Sequence, residues 1–494
     1  MAHKTPFAEL ETRIRDRSLD FEPEWMRRAG YMVVDHIVAR LSGLREAGLG
    51  DELSREEMER TLGEPLPEHP TAFEVVLDHY ARLVAPHAVA LDHPRFFAFI
   101  PSAPNYVSIL ADALVAGSNV FAGTWLESSG PSQVELVVMD WFKHMLGLPA
   151  EAAGLLVSGG SVANLTALAV ARKAQLNDEP GGAVVYLSDQ THASVDRALR
   201  LLGFPARQLR RIATDSDFRL DPSALADQIQ KDRAAGLRAL AVVANAGTTN
   251  TGAIDPLGDV ARVAHDNSIW LHVDAAYGGF AALTARGREL LRGIEQADSV
   301  VLDPHKWFYC PFEAGCVLVR QGRLMRETFR ILPEYMSDVA REEREVNFCD
   351  YGPQLTRSFR ALKVWMSVKT YGAARLREVI DQCLDLTEYA AQLFDQSPCL
   401  SIVTPPSLGV FTFRYIPENL PHDEATLNRV NEILMEKIIS SRKLMLSSTR
   451  LGARHVLRFC VLNHRTQKAD VRKARELILD LGREAESSLL SQEV

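Results

Sequence analysis

The sequence predicts an α/β protein. A large domain with a mainly parallel sheet is expected over residues 105–363, after an N-terminal helical segment (1–104) and before a small C-terminal α+β domain (364–494). Three observations carry this. Apolar residues recur at helical spacing near the start. Short Val- and Leu-rich runs then alternate with helical stretches. After residue 363 the order of elements changes.

In chain order, FEPEWMRRAGYMVVDHIVARLSGL (21–44) has a helical apolar period, and the Pro-rich GEPLPEHP (63–70) ends it. TAFEVVLDHYARLVAPH (71–87) is a second helical stretch, leading to the aromatic segment HPRFFAFIPS (93–102). The runs LLVSGG, AVVYLSD, ALAVVANAG, IWLHVDAA, SVVLD and CVLVR follow, mostly ending in Gly, Asp or Ser. Such runs suit strands buried on both faces by crossover helices. Beyond ALKVWMSVKTYG (361–372), LGVFTFRYI and HVLRFCVLN read as strands, and TQKADVRKARELILDLG as a closing helix.

Bulk properties exclude several functions. Of 494 residues, 24% are charged and the net charge is −9, which disfavours nucleic acid or an anionic membrane as partner. The first twenty residues lack the apolar core of a signal peptide, and no apolar run is long enough to span a bilayer. The six cysteines form no CxxC pair, so neither a zinc site nor a disulfide framework is expected, and a cytoplasmic location is.

Ligands of open α/β sheets collect at the carboxyl ends of the strands. Four of the predicted strands end in polar residues. Ser158-Gly159-Gly160-Ser161 precedes a helix and reads as a phosphate cradle or a tight turn. Asp274 ends the run 269–273 and reads as a cap or a cation partner, with Ala275-Ala276 leaving room for a flat group. His192 follows the run 183–187 and reads as a helix-entry residue or as a ring-stacking, proton-handling one. Lys306, in SVVLDPHKWFYC, interrupts an apolar stretch. A lysine in an apolar pocket has its pKa pulled below about 10.4, and its neutral amine can form a Schiff base. A carboxylate at the neighbouring strand end can keep a pyridinium nitrogen protonated. Lys306 and Asp274 thus meet two requirements of pyridoxal 5'-phosphate chemistry.

The ordered set HPRFFAFIPS, MDWFKHMLGLP, SDQTHASVDRA, WLHVDAAYGG, DPHKW, SFRALKVW and LRFCVLNHRT resembles the pyridoxal-phosphate-dependent group II amino-acid decarboxylases, in their aromatic-L-amino-acid decarboxylase-like branch. The resemblance implies the aspartate-aminotransferase-like fold (fold type I) of the PLP-dependent transferases. It also implies a homodimer with active sites at the subunit interface. Lys306 would carry the cofactor, Asp274 pair with its ring nitrogen and His192 stack on the ring. Gly160, Ser161 and His305 would surround the phosphate, while Thr249 and Ala276 line the cofactor. Tyr335 would protonate the carbanion left by carbon dioxide, from a lid over 336–345. The reaction implied is decarboxylation of an L-amino acid to its amine. Phe99, Ser102, Trp125 and Thr356 are the expected substrate contacts.

Four positions depart from the family pattern: Asp303, the pair Phe99-Ile100, Gly123 and Thr356. Asp303 is the most puzzling, because a carboxylate beside a phosphate is unfavourable unless it faces elsewhere or accepts hydrogen bonds. Phe96, Phe97, Phe99 and Trp125 offer an aromatic surface or ordinary core. No strand end carries an arginine clamp, so an aromatic substrate is expected over an acidic one. An aldehyde synthase, or a decarboxylase of acidic or sulfinic amino acids, is the alternative.

Overall fold

Strand β1 (Ala153–Val157) lies at one edge of a seven-stranded sheet, yet its neighbour is the last strand of that sheet in sequence, β7 (Gly315–Val319). Between them in the chain come β2 (Ala183–Ser188), β3 (Leu209–Ile212), β4 (Arg238–Asn245), β5 (Trp270–Asp274) and β6 (Ser299–Leu302). The spatial order is β1-β7-β6-β5-β4-β2-β3. Pairings β2–β3, β2–β4, β4–β5 and β5–β6 are parallel. Only β7 runs the other way, antiparallel to both neighbours. The carboxyl ends of the other six strands therefore share one edge. This is a computed structural model, and it describes residues 5, 7–14, 18–100, 103–331 and 344–491.

The pleat sorts strand side chains between two cores. Val184, Tyr186, Val242, Ala244, Leu271, Val273, Val300 and Leu302 join one cluster with helices Trp125–Leu146 and Leu257–Asp266. Their alternates Ala183, Val185, Leu187, Ala241, Val243, Trp270 and Val301 join another with helices Gly160–Leu176 and Ala193–Leu201. Alternation with both faces apolar is what a strand covered by helices on each side requires.

A four-stranded antiparallel sheet follows: β8 (Leu400–Ser407), β9 (Val410–Tyr415), β10 (Ser447–Leu451) and β11 (Arg454–Cys460), in the order β10-β11-β9-β8. β9 and β11 are the strands expected from sequence, and the closing helix is Lys468–Leu490. β8 carries Pro405 and Pro406, which lack the N–H a central strand needs, and it lies at an edge. Helix Ala361–Asp395 leads into this sheet and is broken at Gly372, whose φ is 74°. The aromatic segment near residue 97 pairs with this sheet. Phe97 N–H donates to the Met445 carbonyl at 2.9 Å, and Cys460 N–H donates to the Phe97 carbonyl at 3.0 Å. Phe97 stacks on Phe459 with ring centroids 4.2 Å apart.

Residues Met1–Val89 form a separate compact unit. It contains helices Phe7–Arg13, Pro23–Gly43, Arg55–Leu62 and Phe73–His79. A proline opens Pro23–Gly43, and a Ser54–Glu57 capping box opens the next helix. Pro23–Gly43 buries none of its residues fully, and its Met26, Tyr31, Val34 and Val38 are exposed. Among the described residues no helix is long and apolar enough to cross a membrane.

Candidate active site

The shared carboxyl edge opens on a cavity of about 440 Å³. Its lining includes Gly160, Ser161, His192, Thr249, Asp274, Ala276, His305 and Lys306. Sequence reasoning named all eight as cofactor contacts, and they arrive from the ends of β1, β2, β4, β5 and β6. Asp274 is the last residue of β5, and the register sets it between Asn245 of β4 and Val301 of β6. Lys306 follows β6 by one tight turn, its N–H bonded to the Asp303 carbonyl at 2.8 Å. Beyond it Trp307, Phe308 and Tyr309 turn into the core. Trp307 stacks on Tyr277, and Phe308 packs on Phe142 and Phe280.

At the β1 end the 17-residue helix Gly160–Leu176 begins at the cavity. Val162 and Ala163 N–H groups bond back to the Gly159 carbonyl, leaving earlier amides of the turn to face the opening. A Cβ at Gly160 would stand 2.9 Å from Asp303 Oδ2, so only glycine lets the two segments approach.

Asp303 meets the condition expected from sequence, because its carboxylate accepts a hydrogen bond. Its Oδ2 faces Lys306 Nζ at 2.8 Å and His305 Nε2 at 3.6 Å. Its buried Oδ1 has no hydrogen-bond partner among the described residues. The expected lowering of the Lys306 pKa is accordingly overturned. Burial pulls the ammonium down, but the charge and hydrogen bond of Asp303, with the charge of Asp274, lift it net above its ordinary value. The two histidines move the other way. Burial lowers His192 against the opposing pull of Asp274, and burial lowers His305 against Asp303. His192 caps helix Ala193–Leu201, accepting the Ser194 N–H at Nδ1.

Residues missed in the sequence also line the cavity: Asn164, Gln190, Ser194, Asn245, Thr248 and Glu313. Asn164 had a legible signal, since it follows Gly160 by four residues and so shares its helix face. It donates to Asp274 Oδ2 and to Ser194 Oγ, each at 3.0 Å. Arg458 of β11 donates to the carbonyls of Thr249, Asn250 and Phe99, tying the second sheet to the cavity rim.

Three of the four expected substrate contacts do not line this cavity. Phe99, Trp125 and Thr356 are absent from the lining, which Ile100 joins instead. Phe96 and Phe97 are ordinary core, 1% and 0% exposed. The Trp125 backbone N–H donates to Asn347 Oδ1, in the loop after residue 346. A Cβ on Gly123 would meet the Leu355 carbonyl at 3.0 Å, one residue from the exposed Thr356. Ser102 and Tyr335 lie outside the described residues, as does most of 336–345.

The donor set fits pyridoxal 5'-phosphate. A glycine turn and free helix amides suit a phosphate, Ala276 and His192 leave space for a flat ring, Asp274 suits a ring nitrogen and Lys306 a carbonyl carbon. No group of three or more potential metal ligands occurs among the described residues.

Comparison with known proteins agrees. Residues 56–416 match the model of the pyridoxal-dependent decarboxylase conserved domain. The chain is 44% identical over 450 residues to an aromatic-L-amino-acid decarboxylase of Bacillus atrophaeus, covering 91% of this chain and 94% of that one. It is 30% identical to a phenylacetaldehyde synthase of Arabidopsis thaliana, over 92% and 96% of the two chains. Its fold matches a crystal structure of Oryza sativa TDC with PLP and tryptamine at a TM-score of 0.90. That match has 29% identity and covers 95% of this chain and 99% of that one.

Proposed function

The chain belongs to the pyridoxal-dependent decarboxylase family, and from that premise we propose that it converts an aromatic L-amino acid (phenylalanine, tyrosine, DOPA or tryptophan) to its amine and carbon dioxide. It is a carboxy-lyase whose cofactor is pyridoxal 5'-phosphate. The observation that carries the reading is the convergence of Lys306, Asp274, His192 and the Ser158–Ser161 turn on one cavity from four different strand ends.

When bound, pyridoxal 5'-phosphate supplies the electron sink for the bond broken at the carboxylate. The protein's own groups do the rest. Gly160, Ser161 and His305 hold the phosphate side. His192, its pKa lowered by burial, would cover one ring face, with Thr249 and Ala276 lining the rest. Asp274 is buried, and its carboxylate, steadied by Asn164 and the Ala276 N–H, would hold the ring nitrogen in its protonated form. Lys306 would hold the cofactor through its side-chain amine. Asp303 serves as counter-ion to its amine. Tyr335 delivers the proton to Cα, which is the step that separates an amine product from an aldehyde.

Two features support an aromatic over an acidic substrate. The lining among the described residues contains no arginine, and Glu313 would repel a second carboxylate. The resemblance to a phenylacetaldehyde synthase favours the aldehyde-forming alternative, and Tyr335 opposes it. A homodimer with the active site at the interface belongs to this reading. The exposed apolar residues of Pro23–Gly43 support it, as does the absence of Trp125 and Thr356 from the lining of their own cavity, since they would then meet the substrate of a second subunit. Phe99 and Ser102 complete the substrate set. The three-part division at residues 104 and 363 and a cytoplasmic location are also part of it.

The test is carbon dioxide release from L-Phe, L-Tyr, L-DOPA, L-Trp, L-His and L-Glu, with amine and aldehyde both quantified. Aromatic substrates should yield amine, and L-Glu should yield little. A purified protein without a visible cofactor band, or one whose band survives Lys306→Ala unchanged, would refute the cofactor assignment.

A further inference from the structure

A single buried hydrogen-bonded chain joins Asp274 and His192, and its polarity is fixed at every link. Trp270 Nε1–H can only donate, and it donates to Ser299 Oγ at 2.8 Å. Ser299 Oγ lies 2.8 Å from His272 Nδ1, and His272 Nε2 lies 2.8 Å from Asn164 Oδ1. The two Asn164 amide hydrogens point to Asp274 Oδ2 and Ser194 Oγ. Its oxygen is therefore the atom that faces His272, and an amide oxygen only accepts. His272 must donate from Nε2. Burial, opposed by Asp274, holds its pKa down to about 4, so the ring is neutral and Nδ1 accepts the Ser299 hydroxyl. On the other branch Ser194 Oγ lies 2.8 Å from His192 Nδ1, which also accepts the Ser194 N–H at 3.2 Å and so leaves the His192 proton on Nε2. Turning the Asn164 amide over would set its oxygen against the Asp274 carboxylate, which can only accept. Only one arrangement of protons satisfies the whole chain.

We propose that Asn164 is a positioning residue that orients Asp274 and the His192–Ser194 pair together, and that His272, donating to its amide oxygen, holds that amide in place. The inference rests on the assignment of Asp274 to the cofactor's ring nitrogen. Asn164 and His272 touch no reacting atom in this scheme. They act by presenting a carboxylate and an imidazole of defined orientation, from a helix and a strand 108 residues apart.

Three variants and their controls test this. Asn164→Leu is close in volume and deletes both donors. Pyridoxal 5'-phosphate affinity, measured by titrating the cofactor-free protein, should fall about 10- to 100-fold, the range for a hydrogen bond to a charged group. Asn164→Asp sets a carboxylate 3.0 Å from Asp274, and its deficit relative to wild type should narrow as pH falls and one of the pair takes up a proton. The titratable groups around position 164 are Asp274, His272 and His192, with Lys306 and Asp303 acting through them. His272→Phe should lose affinity, and His272→Gln, which keeps an amide N–H for Asn164, should recover most of it. A merely structural role would move the melting temperature of the cofactor-free protein without producing the pH-dependent deficit or the glutamine rescue. Equal affinity in Asn164→Leu, a pH-independent deficit in Asn164→Asp, or equal losses in the two His272 variants would each overturn the proposal. If neither Asn164 variant folds, the His272 pair decides it. Unchanged affinity in Asp274→Asn would instead bring down the assignment beneath it.

Discussion

Replacing Asp303 by asparagine removes the counter-ion of Lys306 and keeps the shape of the side chain. At 2.8 Å and an effective dielectric of about 20, the attraction is worth about 6 kcal/mol before screening. A quarter of the Lys306 side chain is exposed, and Asp274 still pulls on the amine after the substitution. Screening therefore reduces the net loss to about 1–3 kcal/mol, and the Lys306 pKa should fall. The direction follows from burial, which alone lowers a lysine. Because the folded value stands above the ordinary one, the ion pair contributes stability in full below about pH 10. That contribution is lost as pH rises through the folded value. The assay is the rate at which cofactor-free protein captures saturating pyridoxal 5'-phosphate, followed by visible absorbance across pH. Only the unprotonated amine attacks the aldehyde, so the midpoint in Asp303→Asn should fall. The rate at neutral pH should rise by roughly 10- to 100-fold. Asp303→Glu should keep a high midpoint. A midpoint that stays put or rises in the asparagine variant would refute the ion pair as the source of the shift.

Other consequences are open to measurement. Tyr335→Phe should lower amine formation by about 100-fold or more, the usual contribution of a general acid, and shift product toward aldehyde. Chromatography of both products checks this, and amine made at the wild-type rate would remove Tyr335 from the mechanism. Arg357 and Glu135 form a wholly buried ion pair at 2.6 and 3.0 Å, and Arg357 also bonds to the carbonyls of Ala122 and Leu156. Arg357→Met or Glu135→Leu alone should destabilise the protein by about 3–5 kcal/mol in urea unfolding, because each strands a buried charge. The double substitution should cost less than the sum of the two.

Much of this protein was legible in its sequence because the information is local. An apolar strand must end somewhere, and the residue types at its end name the chemistry available there. Asp274, His192, Lys306 and the glycine turn were readable on that ground, and the structure gathers them in one cavity. The expected N-terminal helices and the strands β9 and β11 follow from periodicity in the same way. β8 was missed because its prolines silence the strand signal at a sheet edge. Phe97 was ambiguous because its partners, Met445 and Cys460, lie some 350 residues away. Tertiary structure alone decided the strand order that places β5 and β6 side by side. It turned Asp303 toward Lys306, reversing the expected shift of that amine, and it set Asn164 and His272 behind the site. The physical reason is range. Periodicity and residue type are written into neighbouring positions, whereas a pKa or a hydrogen-bond polarity is fixed by whichever charges and donors the fold brings within a few ångströms.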